Sequence, residues 1–306
     1  MAATISGLVI RAQSGFYVVA TERGEITCNL RGRLRKGPRT GDVIAMGDRV
    51  EISSEDGKTG MVEAILPRLR MFSRLDPRPQ GEYQQVLIAN PDQVLLVFAC
   101  AEPQPKMAML DRFLVIAERA GIPPVIVANK VDLVGSTAAQ DTFRTYQKLN
   151  YPVVFTSVRT GEGIAAVTGL ISNKITLFTG PSGVGKSSLL NSIQPGLGLA
   201  AREISQATSK GKHTTVVREL FRLDRGGWVA DTPGLKALAV WDIEPEELDA
   251  YFTEIGALVG ACQFSNCSHL HEPGCAVLLA VTQGRIDPAR YQSYLRLRFG
   301  EELAEA

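Results

Sequence analysis

The feature that most constrains this chain is the glycine-rich segment GPSGVGKS at positions 180–187. A strand-like apolar stretch (174–179) precedes it and a helix-forming stretch (187–191) follows it. In this context the glycines let backbone N–H groups converge on phosphates. We expect Lys186 to reach the β- and γ-phosphates of a nucleotide and the Ser187 hydroxyl to bind Mg²⁺. The predicted phosphate loop comprises Gly180, Pro181, Ser182, Gly183, Val184, Gly185, Lys186, Ser187 and Ser188.

Two further motifs belong on the phosphate side. DTPG (231–234) ends an apolar strand, so Asp231 can hold Mg²⁺ through water and the Gly234 N–H can bond the γ-phosphate. Between it and the loop, HTT (213–215) stands where a switch segment supplies a threonine hydroxyl to Mg²⁺. Thr214 and Thr215 both qualify as this ligand, and we favour Thr215.

A base-recognition motif, NKVD (129–132), follows the strand-like stretch 124–128. The Asp132 carboxylate can accept from both N1–H and the 2-amino group of guanine, a donor pair that adenine lacks. Asn129 can bond the N7 side of the base and brace neighbouring loops, while the Lys130 stem can stack over the ring. TSV (156–158), centred on Ser157, can supply a backbone N–H to the guanine O6. The motifs together predict a guanine nucleotide, GTP or GDP.

The order of the motifs is permuted, because the base motifs precede the phosphate motifs along the chain. Such a permutation is tolerable when every motif lies on a loop at the same edge of a sheet, since the strand packing is preserved. The segment after DTPG then runs directly into the C-terminal region. Our hypothesis is that the nucleotide state repositions that region.

Hydrolysis is expected to need assistance. Ras-like proteins place a water-orienting glutamine directly after this motif, whereas this chain has Leu235. His213, beside the threonine pair, is the nearest substitute, and the alternative is a surface histidine without a role. The predicted catalytic residues are therefore His213, Thr215 and Lys186.

A cysteine and histidine cluster lies near the C-terminus, formed by Cys262, Cys267, His269 and Cys275. Three thiolates and an imidazole suit tetrahedral Zn²⁺, and four protein ligands leave no open position, so the predicted zinc is structural. His271 is an alternative ligand. An odd number of cysteines, five, argues against a disulfide framework.

Three domains are expected. Residues 1–75 show short alternating strands that suit an OB-fold β-barrel, 82–235 alternate strands and helices as in an α/β P-loop GTPase domain, and 236–306 form a helical zinc-binding domain. The turn-rich segment 76–81 is predicted to be a linker. The barrel carries a basic loop that could follow a nucleic-acid backbone, made of Arg31, Arg33, Arg35, Lys36 and Arg39.

No export signal precedes the first strand, and no apolar run is long enough to cross a bilayer. We therefore expect a cytoplasmic protein that does not contact membranes. We also expect it to act as a monomer.

These motifs together resemble one family, the ribosome small-subunit-dependent GTPases (RsgA/YjeQ), over nearly the whole chain. The resemblance implies binding to the small ribosomal subunit and its rRNA, a late role in its maturation, and GTP hydrolysis stimulated by the subunit. It also implies that His213 acts in hydrolysis. One departure is Val216, where the family often has a third threonine. An RNA-binding scaffold with negligible turnover and a signalling GTPase acting on a protein are the alternatives.

Overall fold

The computed structural model describes residues 4–13, 15–35, 41–78, 81–197, 218–231 and 243–300. The strands are β1 (Ile5–Gln13), β2 (Phe16–Thr21), β3 (Gly24–Leu30), β4 (Arg49–Ser53), β5 (Thr59–Ile65), β6 (Met71–Arg78), β7 (Gly81–Ala89), β8 (Gln93–Ala99), β9 (Pro124–Asn129), β10 (Val153–Thr156), β11 (Ile175–Thr179), β12 (Arg218–Arg222) and β13 (Trp228–Asp231). The helices are α1 (Met107–Arg119), α2 (Ser136–Lys148), α3 (Ile164–Ile171), α4 (Lys186–Ile193), α5 (Leu248–Tyr251), α6 (Thr253–Val259), α7 (Ala276–Thr282) and α8 (Pro288–Phe299).

The first five strands close into a barrel. They pair in the order β1-β2-β3-β5-β4, and β4 returns to pair with β1. Side chains alternate between the two faces, so that the interior is filled by apolar residues such as Val19, Ile26, Ile52 and Val62. The predicted OB-like barrel is confirmed.

A β-hairpin replaces the predicted linker at 76–81. Strands β6 and β7 pair from Met71↔Ala89 to Arg78↔Gly81, and Phe72 and Ile88 are buried near the base of the hairpin. The linker prediction is wrong because proline and glycine mark chain reversals in hairpins as well as in linkers. The alternation of flanking residues was the signal that could have separated the two.

The central sheet is mostly parallel. Its order is β10-β9-β8-β11-β13-β12, with β12 antiparallel to β13. All seven residues of β8 are buried, as expected of a central strand covered on both faces. Strands β9, β10, β11 and β13 therefore bring their carboxyl ends, where the predicted motifs lie, to one edge.

The barrel and the central sheet are continuous. β1 pairs with β12 through Arg11↔Glu219 and Ala12↔Arg218, which makes one sheet of eleven strands. One apolar core spans the junction, because Ile10 of the barrel belongs to the same buried cluster as Leu220 and Ala230.

The C-terminal helices pack around their own core, which includes Phe252, Ile255, Val277 and Tyr294. Val115 on α1 belongs to the same buried cluster, so this module sits against the central domain. No described helix is long and apolar enough to span a membrane.

Candidate functional site

The phosphate loop joins β11 to α4, and its shape requires glycine. A Cβ on Gly180 would lie 2.0 Å from the Val97 carbonyl oxygen. Gly183 and Gly185 have φ angles of +80° and +95°, which L-residues with side chains adopt only under strain. The turn leads directly into the N-terminus of α4 at Lys186, and a glycine-rich turn before a helix N-terminus is an arrangement that binds phosphate.

Lys186 folds back over this loop. Its Nζ donates to the carbonyl oxygens of Gly180 (2.8 Å) and Pro181 (2.7 Å). The ammonium group therefore already lies at the rim of the loop, where it can meet phosphate oxygens.

Asn129 connects the base motif to the phosphate loop. Its buried side chain donates from Nδ2 to the Val184 carbonyl oxygen at 2.8 Å. Its Oδ1 accepts from the Thr156 hydroxyl at 2.9 Å, so one amide joins three sequence motifs. The predicted bracing role of Asn129 is consistent with these bonds.

Lys130 reinforces the same connection. It adopts a left-handed backbone conformation with a φ of +63°, and its Nζ donates to the Gly183 carbonyl oxygen at 2.8 Å and also to that of Glu102. The stem consequently crosses from the base motif to the phosphate loop and can present an apolar face to a ring.

The Asp132 carboxylate is held at the edge of the sheet by its neighbours. Oδ1 accepts from the Ser157 hydroxyl at 2.6 Å, and Arg159 Nε lies 3.6 Å from Oδ2. The Ser157 oxygen accepts in turn from the Thr160 N–H at 3.2 Å. This chain of bonds fixes the direction in which the carboxylate can accept from a base.

The backbone N–H groups of the TSV motif differ in what they bond. The N–H of Ser157 donates to the Glu162 carbonyl oxygen at 3.0 Å and so is not available for the guanine O6. The N–H of Val158 has no such bond within the described residues. Ser157 bonds Asp132 through its hydroxyl, and Val158, the last residue of the TSV motif, keeps its N–H available for a base. The sequence could place the motif at a strand end but could not show which N–H is used by the loop itself.

The four predicted metal ligands come together. Their ligand atoms all lie within 4.8 Å of one another, and His269 Nδ1 is 3.6 Å from Cys262 Sγ and 3.5 Å from Cys275 Sγ. A tetrahedral zinc with Zn–S of about 2.3 Å and Zn–N of about 2.0 Å would separate such atoms by about 3.6 Å. The residues therefore fit a metal ion, whereas His271 is exposed and outside the cluster.

Neighbouring groups hold the cluster in shape. The Tyr291 hydroxyl donates to the His269 carbonyl oxygen at 2.6 Å, and the Leu278 N–H points at Cys275 Sγ at 3.4 Å. The Asp249 carboxylate lies 3.5 Å from His269 Nε2, too long for a strong hydrogen bond but close enough to orient the ring. Burial lowers the pKa of His269 and so favours the neutral imidazole, the form that binds metals.

The basic loop of the barrel is partly neutralised. Arg31 Nε lies 2.7 Å from Glu63 Oε2, and Arg33 donates to the Glu63 carbonyl oxygen at 2.9 Å. The hydroxyl of Ser53 and the guanidinium of Arg31 both bond this carboxylate and hold the pKa of Glu63 below its usual value. The patch is therefore less positive than the sequence suggests.

Several predicted site residues lie outside the described residues, namely Lys36, Arg39, His213, Thr214, Thr215 and Gly234. For Arg35 and Asp231 the backbone is described. Asp231 ends β13 and pairs with Phe178 of β11, two residues before the phosphate loop begins.

Two family models match the chain: an RsgA N-terminal domain over residues 6–62 and an RsgA GTPase over residues 65–241. A relative from Gemmatimonas aurantiaca is 42% identical over 302 residues, which is 97% of this chain and 98% of the relative. A relative from Caldanaerobacter subterraneus is 42% identical over 294 residues, which is 96% of this chain and 94% of the relative. Both are named small ribosomal subunit biogenesis GTPase RsgA.

Two solved structures are similar over almost the whole chain. YjeQ from Thermotoga maritima has a TM-score of 0.79 and 36% identity, covering 99% of this chain and 100% of that one. YloQ, described as a circularly permuted GTPase, has a TM-score of 0.74 and 33% identity; the match covers 99% of this chain and 96% of YloQ. These matches confirm the permuted order of the motifs.

Proposed function

The chain belongs to the RsgA family of GTPases and hydrolyses GTP, and we propose that it binds the small ribosomal subunit and acts late in its maturation, with hydrolysis stimulated by the subunit. Relatives that are named small ribosomal subunit biogenesis GTPases align over nearly the full length of this chain. The observation that carries the proposal is the match of the chain to both RsgA family models, over residues 6–62 and 65–241. The bond from Asn129 to Val184, which joins the base motif to the phosphate loop, supports a single nucleotide site for the hydrolysis of GTP.

Guanine recognition is assigned to the edge formed by β9 and β10. Asp132 accepts from N1–H and the 2-amino group, with its carboxylate oriented by the Ser157 hydroxyl. The free Val158 N–H donates to O6. Asn129 lies on the N7 side, and the Lys130 stem covers one face of the ring.

Phosphate chemistry is assigned to the neighbouring loops. Lys186 binds the β- and γ-phosphates, and Mg²⁺ is held by Ser187, by Thr215 or Thr214, and through water by Asp231. The Gly234 N–H bonds the γ-phosphate.

The hydrolytic step is assigned to His213. Because Leu235 cannot orient a water molecule, His213 does so when the subunit holds it in place. Unaided turnover is then slow.

The C-terminal cluster is proposed to hold one structural Zn²⁺ through Cys262, Cys267, His269 and Cys275. Support comes from the four ligand atoms, which all lie within 4.8 Å of one another, and from their number, because four protein ligands complete a tetrahedral zinc site. The zinc fixes the fold of the module and takes no part in hydrolysis.

The barrel is proposed to contact rRNA. Arg31 and Arg33 are both exposed, and with Arg35, Lys36 and Arg39 they can track a phosphate backbone. We also propose that the protein works in the cytoplasm and that it does so as a monomer.

Co-sedimentation with purified small subunits tests the proposal. With a non-hydrolysable GTP analogue we expect the protein to pellet with the small subunit, and to pellet far less with GDP. Turnover should rise when small subunits are added, whereas large subunits serve as the control.

Two results would argue for the alternatives. Binding without any rise in turnover would indicate an RNA-binding scaffold. Failure to bind in either nucleotide state would favour a GTPase that acts on another protein.

A further inference from the structure

A short loop from Cys267 to Glu272 carries two of the four proposed metal ligands. His269, in the middle of this loop, has a left-handed backbone with a φ of +61°. Residues other than glycine seldom adopt this conformation unless their surroundings hold them in it. The loop therefore depends on neighbouring groups for its shape.

The Glu272 carboxylate bonds the loop at four points. Oε1 accepts from the N–H of Ser268 at 2.7 Å and also from the hydroxyl of the same residue. Oε2 accepts from the N–H of Leu270 at 3.0 Å and from that of His271 at 3.2 Å. Backbone N–H groups that curl round an anion form a compact concavity, so this carboxylate fixes the backbone on both sides of His269.

Other polar groups of the loop are bonded as well. The His269 N–H bonds the Cys267 sulfur. The His269 carbonyl oxygen accepts from the Tyr291 hydroxyl at 2.6 Å, and the Ser268 carbonyl oxygen accepts from the Tyr294 hydroxyl at 3.1 Å. Both tyrosines belong to α8, so the loop is tied to this helix as well as to the carboxylate.

We propose that Glu272 is a positioning residue for the metal site, and that its carboxylate shapes the loop so that the His269 ring faces the thiols. The inference rests on the zinc site proposed above. Glu272 is not itself a ligand, because four N–H and O–H donors face the four lone-pair sites of its carboxylate. His269 Nδ1, by contrast, lies 3.5 Å from Cys275 Sγ.

The consequence concerns the affinity for metal. A loop that is already held in shape costs less to order when the metal binds, so the site binds more tightly than its four ligands alone would. Groups that orient metal ligands from outside typically contribute tenfold to a hundredfold in metal affinity.

The test measures metal binding by the full-length chain. Zn²⁺ affinity is measured in competition with a chromophoric chelator, and the visible absorption of bound Co²⁺ reports the ligand set and its geometry. Glu272→Gln, which leaves a single oxygen to accept, should weaken Zn²⁺ binding by at least about tenfold. At saturation its Co²⁺ spectrum should match that of the unsubstituted protein, because all four ligands remain.

Two controls in the same module separate positioning from other effects. Glu246→Gln, at an exposed position in the turn before α5, removes a charge from the module and should change neither measurement. Ile255→Val lowers the stability of the buried core without touching the loop, and Zn²⁺ affinity should stay within about twofold. An equal loss of Zn²⁺ affinity in Ile255→Val and Glu272→Gln would reduce Glu272 to a structural role.

Ser268→Ala is a second variant that keeps the charge of Glu272. It removes one of the four bonds and should weaken Zn²⁺ binding by about threefold, again without altering the Co²⁺ spectrum. Should Glu272→Gln fail to fold, Ser268→Ala decides the question.

Unchanged Zn²⁺ affinity in the deciding variant would overturn the inference. An altered Co²⁺ spectrum in Glu272→Gln would overturn it too, because Glu272 would then be a ligand. If the unsubstituted chain binds neither metal, the proposed zinc site fails and this inference fails with it. If the unsubstituted chain and Glu272→Gln bind Zn²⁺ equally well, the zinc site stands and only the inference fails.

Discussion

Nη1 of Arg290 lies 2.7 Å from Oδ1 of Asp111, and each side chain is 2% exposed. The same guanidinium bonds both carboxylate oxygens of Glu254, at 2.7 and 3.1 Å. Asp111 also accepts from the Tyr146 hydroxyl at 2.7 Å. This buried network ties α8 of the C-terminal module to α1 and α2 of the central domain. A nucleotide-driven movement of the module would have to carry α1 with it or break these bonds.

Replacing Arg290 with methionine should therefore destabilise the docked module strongly. Two carboxylates would remain buried without their cation, which costs about 3–5 kcal/mol. Urea unfolding and hydrogen exchange across 243–300 measure the loss. Arg144→Met, which breaks an exposed pair with Asp141, should cost no more than about 1 kcal/mol. Equal effects of the two substitutions would contradict the stabilising role of the buried network.

Replacing Cys267 with serine should release the metal. Metal analysis is expected to give one zinc per unsubstituted chain and much less in the variant. The backbone amides around α7 should also lose their protection against hydrogen exchange in the variant. GDP affinity should stay within about twofold, because the cluster lies apart from the nucleotide motifs. Cys28→Ala, in the barrel core, is the control that should keep its zinc.

Replacing Ser157 with alanine should weaken GDP binding by roughly fivefold, about 1 kcal/mol for the lost hydrogen bond to Asp132. Titration with a fluorescent GDP analogue measures this change in affinity. Ser172→Ala removes a hydroxyl that bonds the Thr168 carbonyl oxygen at the C-terminal end of α3, and it should leave the affinity for GDP unchanged. If Ser157 contributed through its N–H alone, its alanine variant would bind GDP normally.

Replacing Gly185 with alanine should disrupt the nucleotide site from within. The new Cβ would lie 2.5 Å from Asn129 Nδ2 at a φ of +95°. Backbone strain and the displacement of the Asn129 side-chain amide should together weaken the free energy of GDP binding by about 3 kcal/mol, which is on the order of a hundredfold in affinity. Gly169→Ala on α3, where an added Cβ meets nothing within 4 Å, is the control. Normal GDP binding by the Gly185 variant would show that Asn129 does not need this close contact.

Replacing His213 with alanine should lower subunit-stimulated turnover at least tenfold, within the range of a lost acid–base or water-positioning group. GTP-analogue affinity should not fall. Single-turnover assays with small subunits separate the two quantities. His271→Ala replaces an exposed histidine outside the metal cluster and should have no effect. Unchanged turnover in the His213 variant would refute its role.

Local patterns in the sequence predicted much of the central domain. Strand β9 and helix α4 begin at or next to the expected residues, because apolar runs bounded by turn residues specify them directly. The same patterns predicted the barrel strands and the cysteine and histidine cluster.

Features that depend on distant parts of the chain could not be predicted in this way. The pairing of β1 with β12 joins residues 208 positions apart, and nothing local to either strand indicates it. The Arg290–Asp111 pair joins residues 179 positions apart. The N–H of Ser157 bonds the carbonyl oxygen of Glu162, five residues later, and so closes a loop. Each of these depends on tertiary packing, which local propensity and periodicity do not encode.

The β1–β12 junction also bears on how the chain is made. About 150 residues separate the end of β5 from the start of β12, so the barrel can close long before its outer partner strand has been translated. At 5–20 residues per second the free edge of β1 waits roughly 8–30 s for that strand. An unpaired strand edge is a site for mispairing with other chains. Arg11 lies on the part of β1 that later pairs with β12, and a charged side chain on an open strand edge disfavours such mispairing until Glu219 is available as its partner.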